Sequence, residues 1–404
     1  MDYLTILGAT GSIGDSALDV VRHHPESFKI WGLSANSNTN KLAKITHESE
    51  PHVVAVGENY GADIRAKLQN KKVDIFEGRT GLNSLARMPE AAIVVVGIVG
   101  GAGLEPTLQA VRAGKRVLIA NKEPLVMMGS EIMREAALSQ ATILPLDSEH
   151  NAIFQCLPSI LQKKLFSPVE YGKRVTATDY GVTKVVLTAS GGPFLNLSSE
   201  ELKNVTLEKA VAHPKWKMGR KISVDSATMM NKGLELIEAC VLLNIEPNLV
   251  EVVVHPQSIV HSLVEYKDGS FLAQIANPDM RIPIANALGY PNRIASGAPN
   301  INIQDLGGLD FLSPDESRFP CLKLARQAAE LGGSAPVILN AANEIAVEAF
   351  CNRIIGFTHI WMVIEKVLSH LTIDFESGLE SVLHTDKQAR LAATECIKEL
   401  TKYS

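Results

Sequence analysis

Asn231, Lys232 and Glu235 place an amide, an ammonium and a carboxylate at spacings of four and three, those of neighbours on one helix face. The helix itself is marked by Met230, Leu234, Ile237 and Val241, an apolar repeat of four, three and four. Ser226 stands just ahead of it and is the expected N-cap. Free N–H groups and the positive end of the helix dipole would meet an anion there. Lys232 and the serine-rich start therefore suit a phosphate, and Glu235, one turn deeper, suits a metal ion or a hydroxyl beside it. On an isolated helix the same residues would be a cap and a surface pair. The approach to the helix argues for more: His213, Trp216, Met218 and Gly219 lie among lysines and arginines in a segment without period, as in a mobile lid.

A second acidic pair, Asp147 and Glu149, lies in the expected strand ILPLDSEHN, Ile143 to Asn151. If the chain stays extended, residues two apart point the same way, and two like charges side by side need a cation or a proton between them. Carboxylate oxygens favour Mg²⁺ or Mn²⁺ over zinc. A solvated acidic strand end would look the same, and a third carboxylate from elsewhere would decide; Glu235 is available. Two further strand ends carry polar groups. Ser190, Gly191 and Gly192 offer a hydroxyl and flexible backbone to an anion, and Asn121, Lys122 and Glu123 stand where open α/β sheets place ligands. A tight turn and an ordinary helix start are the plain alternatives.

These residues need a frame, and the N-terminal half supplies a legible one. Tyr3 to Leu7 is a short apolar strand, followed by Gly8, Gly11 and Gly14 and then the helical spacing of Ala17, Leu18, Val20 and Val21. Strand, glycine turn and helix let backbone approach a dinucleotide pyrophosphate, although G-x-x-G-x-x-G is looser than the strict fingerprint. After the strand near Ile30 to Leu33, the chain carries Asn36, Ser37 and Asn38. No acid is present to exclude a 2′-phosphate and no base to demand one, so NADP is permitted and neutral donors would bind it. Val53 to Val56, Ile93 to Val96 and Val117 to Ile119 are continuous Ile/Val strands, as in a parallel sheet covered on both faces.

The fold class expected is α/β: a Rossmann-like doubly wound parallel sheet over residues 1–150, a central α+β catalytic and dimerisation domain over 151–289 with its lid near 212–221, a linker at 290–314 and a helical domain at 315–404. Val250 to Val254, Ile259 to Tyr266 and Phe271 to Ile275 read as antiparallel strands, the last two joined at Lys267, Asp268 and Gly269. In the tail, Leu322 to Leu331, Val337 to Phe350, His359 to Leu371 and Lys387 to Leu400 have helical character, and nothing there reads as catalytic.

Composition narrows the classes. The 404 residues are too many for one average core, and 46 % hydrophobic residues support globular burial. A net charge of -5 argues against nucleic acid as the main partner. The five cysteines, at 156, 240, 321, 351 and 396, show no paired spacing and fit a reducing, cytoplasmic setting. No stretch approaches the roughly 18 apolar residues of a membrane span.

With these pieces in order, the chain resembles the 1-deoxy-D-xylulose 5-phosphate reductoisomerases. GATGSIG at Gly8, ANKE at Ala120, LPLDSEHNAIFQ at Leu144, SGGPF at Ser190, HPKWKMGRKISVDSATMMNKGLE at His213 and HPQSIVHS at His255 carry the resemblance along the whole length. It implies Asp147, Glu149 and Glu235 as ligands of Mg²⁺ or Mn²⁺, and these with Lys122 and His213 as the catalytic set. Ser190, Ser226, Asn231 and Lys232 would hold the substrate phosphate, with His213 added from the lid; Lys122, Ser148 and Glu149 would face the sugar, and Trp216 would close over it. Gly8, Thr10, Gly11, Ser12, Ile13, Asn36, Ser37, Asn38, Asn121, Glu123 and Gly219 would contact NADPH. The family usually has Gly and then Lys or Arg where this chain has Asn36 and Ser37. The implied reaction is rearrangement of a sugar phosphate followed by hydride reduction, in a homodimer. An ordinary NAD(P)-dependent sugar-phosphate or semialdehyde dehydrogenase, or a dinucleotide sensor, would leave the three carboxylates and the phosphate set without a joint purpose.

Overall fold

Short Val/Ile-rich segments separated by amphipathic ones can bury their backbone polar groups only by pairing side by side, with helices packed over both faces. The computed structural model describes residues 1–69, 71–166, 175–212 and 219–402. The chain divides into two compact units, Met1–Pro124 with Ile132–Val175 and Asp279–Asn300, and Leu125–Glu131 with Thr176–Pro278 and Ile301–Ser404.

The first unit is built on seven strands, β1 Asp2–Leu7, β2 Phe28–Ala35, β3 Val53–Val56, β4 Asp74–Glu77, β5 Ile93–Val96, β6 Arg116–Ile119 and β7 Thr142–Pro145. They pair in the order β4-β3-β2-β1-β5-β6-β7, every neighbour parallel. Order reverses between β1 and β5, the switch point at which open α/β sheets leave a crevice beyond the strand ends. The helices α1 Ser12–His23, α2 Thr39–Ser49, α3 Gly61–Lys67, α4 Gly78–Ala86 and α5 Leu104–Arg112 alternate with the strands, and α6 Glu123–Ser139 bends at Met128 (φ −146°). Strands β3 and β5 are buried along their whole length, as continuous Val/Ile runs require. By contrast β4, DIFE, is a half-exposed edge strand with acids at both ends, which is why its sequence gives no strand signal.

β7 is shorter than the run from Ile143 suggests. It stops at Pro145, Asp147 leaves the extended region, and helix α7 begins at Ser148 and runs to Cys156, followed by α8 Ser159–Phe166. The extended-strand geometry expected for Asp147 and Glu149 is therefore wrong. They are an N-cap and a first-turn residue, and the Glu149 amide donates to Asp147 Oδ1 at 3.2 Å.

The second unit holds a four-stranded sheet, β8 Val182–Ala189, β9 Val250–Val254, β10 Val260–Tyr266 and β11 Phe271–Ile275, in the order β11-β10-β8-β9. β10 and β11 form the expected antiparallel hairpin, but β9 is not a neighbour of β10 and lies parallel to β8. The reason is connectivity: the chain between β8 and β9 passes through the short helices α9 Ser199–Leu202 and α10 Leu207–Ala210 and then α11 Arg220–Ala227 and α12 Met230–Leu243, a crossover that returns the chain in the same direction. Helix α13, Arg281–Gly289, falls in the block 151–289 by sequence but packs in the first unit, where Arg281 Nη1 bonds Asp19 of α1 at 3.0 Å. The tail forms α14 Pro320–Leu331, α15 Ala335–Cys351, α16 His359–His370 and α17 Leu379–Thr401 in the second unit. Gly233 of α12 lets α14 come close, since a Cβ there would lie 2.5 Å from that of Ala325.

Candidate active site

The glycine turn follows β1 at the switch point. Gly8 has φ +84°, and a Cβ on it would sit 2.6 Å from the Gly97 carbonyl oxygen at the end of β5, so only glycine fits. Gly11 is the N-cap of α1, which leaves the amides of Ser12 and Ile13 in the first turn pointing out of the helix end. Thr10 lies in the same turn, and its carbonyl accepts from Lys41 Nζ at 3.0 Å. Asn36, Ser37 and Asn38 are exposed beyond β2, and Asn38 Oδ1 is spent capping α2, where it accepts from the Lys41 amide at 3.1 Å. Nothing in the residue spacing marks Lys41 as a neighbour of the glycine turn. Asn38 does so indirectly, because the cap turns the chain and aims the third residue after it back toward Thr10.

At the ends of β6 and β7 the polar groups are inside. Lys122 and Asp147 are 7 % exposed as side chains and meet at 2.6 Å. His150 Nδ1 lies 3.3 Å from Asp147 Oδ1, and Ser148 Oγ donates to Glu149 Oε2 at 2.5 Å. Asn121 and Glu123 flank Lys122, Asn121 half-buried and Glu123 buried in the first turn of α6. A buried ion pair of this kind gains little net stability, yet removing one partner would cost about 3–5 kcal/mol.

In the second unit Ser226 is not an N-cap. It lies in the last turn of α11, and the chain turns at Thr228 and Met229 (φ +62°) before α12 starts at Met230. The hydroxyl-rich run SVDSAT satisfies its own backbone as a separate helix, so the apolar repeat begins one helix later than Ser226. Asn231 and Lys232 are in the first turn of α12 as expected, and both donate to Glu235, Asn231 Nδ2 at 2.6 Å to Oε1 and Lys232 Nζ to Oε2. Glu235 is 1 % exposed. α12 is buried nearly all round, not on the one face that the repeat indicates. The Ser190 turn abuts α11: a Cβ on Gly192 (φ +68°) would fall 2.7 Å from the Ser226 carbonyl oxygen, and Ser190 Oγ accepts from the Gly192 amide at 3.2 Å. The His255 amide donates to the Ala189 carbonyl at 2.7 Å and anchors the root of that turn. Gly219 caps α11, while His213 and Trp216, and with them most of the expected lid at 212–221, lie outside the described residues.

Within the first unit, one carboxylate oxygen of Asp147 and one of Glu149 lie within 4.8 Å of each other, and Glu235 is buried in the second unit. At an effective dielectric near 20, two full charges at that distance repel by about 3–4 kcal/mol, a cost that a divalent cation reverses. His150 stands beside Asp147, and a nitrogen donor suits softer metals, whereas carboxylate oxygens suit Mg²⁺ or Mn²⁺.

Fold and site together define a Rossmann-like α/β protein with buried carboxylates and lysines at its strand and helix ends. Residues 4–129 match the family described as 1-deoxy-D-xylulose 5-phosphate reductoisomerase, residues 143–243 its C-terminal domain, and residues 275–392 the DXP reductoisomerase C-terminal domain. The reductoisomerase of Pseudomonas savastanoi pv. phaseolicola is 51 % identical over 401 residues, 98 % of each chain, and that of Acinetobacter baumannii 50 % over 397 residues, 97 % of each. Among solved structures, a DOX-P reductoisomerase in complex with NADPH, fosmidomycin and magnesium superposes with a TM-score of 0.92 at 47 % identity over 99 % of both chains. The Zymomonas mobilis enzyme in complex with NADPH gives 0.88 at 42 % over 98 % of this chain and 99 % of that one. The chain belongs to the 1-deoxy-D-xylulose 5-phosphate reductoisomerase family.

Proposed function

We propose that the protein rearranges 1-deoxy-D-xylulose 5-phosphate and reduces the product to 2-C-methyl-D-erythritol 4-phosphate, using NADPH and Mg²⁺ or Mn²⁺, in the supply of isoprenoid precursors. The observation that carries this reading is the adjacent carboxylate pair of Asp147 and Glu149, whose mutual repulsion makes sense around a divalent ion that Glu235 would help to hold. When bound, the ion supplies Lewis acidity to the ketone and its adjacent hydroxyl, and the nicotinamide supplies the hydride.

The chain's own residues bind, orient and exclude water. Ser190, Ser226, Asn231 and Lys232, with His213, would hold the substrate phosphate. Lys232 also neutralises Glu235, so one ammonium serves phosphate and metal ligand together. Lys122, held on Asp147, would keep a positive charge beside the sugar oxygens together with Ser148 and Glu149. Trp216 would cover the substrate. Because the phosphate is remote from the bonds that change, its binding energy can serve to order the site and exclude water. Thr10 to Ile13 with Gly8, the run Asn36 to Asn38, Asn121, Glu123 and Gly219 would receive NADPH; the outward amides of Ser12 and Ile13 suit its pyrophosphate.

The reading extends to a cytoplasmic homodimer. Among the described residues, Cys240, Cys321, Cys351 and Cys396 form no disulfide. The edge strand β11 presents Phe271, Leu272 and Ile275 to solvent at 52 %, 50 % and 44 %, a combination of open edge and apolar side chains that a second copy would cover. Sedimentation of the purified chain tests that extension. For the activity, the deciding assay is NADPH oxidation with 1-deoxy-D-xylulose 5-phosphate, with and without Mg²⁺ or Mn²⁺, and identification of the product. Turnover that survives EDTA, or a reduced but unrearranged product, would overturn the reading.

A further inference from the structure

We propose that Asn343, in the C-terminal helical tail, is a positioning residue for the phosphate end of the site: it grips Asp225 from α15 and thereby fixes the turn that carries Ser226. The proposal rests on the reading of Ser226 as a phosphate ligand.

Asp225 is 1 % exposed and Asn343 fully buried. Asn343 Nδ2 donates to Asp225 Oδ1 at 2.9 Å, and Lys221 Nζ holds Oδ2 at 2.9 Å from one turn earlier in α11. The bonds continue toward α12. Thr228 Oγ1 donates to the Asp225 carbonyl at 3.2 Å and accepts from the Met230 amide at 3.3 Å, the first residue of the helix that bears Asn231 and Lys232. On the other side there is no slack, since the Ser226 carbonyl already stands where a Cβ on Gly192 would go. Three elements of the phosphate set, the Ser190 turn, the end of α11 and the start of α12, thus meet at the segment that Asn343 holds. α15 is itself tied down: Asn340 Nδ2 reaches Glu344 Oε1 at 3.2 Å, and Arg390 of α17 binds Glu344 Oε2 at 2.6 Å.

Stability does not account for the amide. Once Nδ2 faces the carboxylate, Asn343 Oδ1 is left buried with no partner among the described residues, and Asn340 Oδ1 shares that state. An unsatisfied buried acceptor is a cost, and an apolar pair of the same shape would avoid both that cost and the burial of a charge. What the apolar pair could not supply is a directional bond that sets where Asp225, and the serine after it, come to rest.

The test uses the full chain with Mg²⁺ and NADPH, and reads kcat, the KM for 1-deoxy-D-xylulose 5-phosphate, the Ki of inorganic phosphate, the Kd of NADPH and Tm. In Asn343→Leu, KM and the phosphate Ki should rise about tenfold while kcat and the NADPH Kd stay within about threefold, the signature of lost ground-state positioning of one substrate group. The exchange Asp225→Asn with Asn343→Asp restores an amide facing a carboxylate and should return both constants to within about threefold of wild type. An unchanged phosphate Ki in folded Asn343→Leu, or a parallel loss of phosphate and NADPH affinity, would overturn the proposal. If Asn343→Leu does not fold, the exchange variant decides, and a folded exchange variant with weakened phosphate overturns it. Ser226→Ala separates the two layers: an unchanged phosphate Ki there removes the phosphate reading and this proposal with it, whereas a raised Ki beside a normal one in Asn343→Leu removes only the positioning role.

Discussion

Glu235 carries two donors on its carboxylate, Asn231 on one oxygen and Lys232 on the other, at 1 % exposure. A neutral amide in its place keeps the shape but removes one of the three proposed negative ligands and the charge that Lys232 meets on Oε2. Glu235→Gln should therefore lower turnover at least about a thousandfold while the NADPH Kd, measured by cofactor fluorescence, stays within about threefold; appreciable retained turnover would count against the metal assignment. Asp147, Glu149 and Glu235 stand out in the sequence because carboxylate oxygens state the chemistry they would do. The cofactor end was less so, since its base is missing. Lys41 does not replace that base, because its ammonium is committed to Asp15 at 2.7 Å and to the Thr10 carbonyl, where it ties α2 to the glycine turn. Ser37 remains exposed and uncharged. Ser37→Lys should thus favour NADPH over NADH by about fivefold to tenfold, the worth of one partly screened charge pair. Paired binding titrations of the two cofactors check it, and an unchanged ratio would place Ser37 away from the 2′-phosphate.

At the level of elements, sequence periodicity succeeded where an element had one wet face or none, and failed where tertiary context overrode it. The fully buried strands β3 and β5 announce themselves by composition, and the hairpin of β10 and β11 by its turn. α12 announces its helix but not its burial, because an apolar repeat of four, three and four indicates one buried face while Lys232, Glu235 and Glu238 on the others are buried as well. The start of that helix was misplaced for a related reason: Ser226 satisfies every local rule for an N-cap, but Met229 can take a left-handed conformation that no propensity scale favours, and α11 inserts itself first. Helix α13 shows the electrostatic side of element placement. Arg281 pairs with Asp279 at 2.6 Å and reaches Asp19 on α1, and its hydrogen bonds hold the Asp279 carboxyl below the ordinary carboxylate range against a smaller opposing effect of burial. A depressed folded-state pKa contributes stability that is present above the unfolded value near 3.9 and lost as pH falls through the folded one. Asp279→Asn should then destabilise by about 0.5–1 kcal/mol at pH 7, the difference from wild type shrinking as pH drops from about 5 toward 2. Denaturant midpoints at the two ends of that range measure it, and a difference independent of pH would mean that the charge contributes nothing.

At the scale of the whole molecule, the proposed metal site needs Glu235 beside Asp147 and Glu149, a pair two residues apart in sequence, and only a folded chain can hold them so. The unfolded chain has the same acids but no reason to converge them, so a divalent ion should bind the native state selectively and stabilise it by mass action. At a free ion concentration of about a hundred times Kd, the linkage is worth about 2.7 kcal/mol. In a chain of 404 residues that corresponds to a shift of only a few degrees, and with two compact units the heating trace need not be one transition. The informative quantity is the difference between variants, not the absolute midpoint. Mg²⁺ or Mn²⁺ added to the EDTA-treated protein should raise the midpoint in wild type and leave Glu235→Gln unmoved, and the wild-type shift should grow with the logarithm of ion concentration once the site is saturated. This readout needs neither substrate nor cofactor and so separates binding of the ion from turnover. A shift of equal size in Glu235→Gln would show that the cation stabilises the protein elsewhere, and the three acids would then have to be explained by their two lysine partners alone.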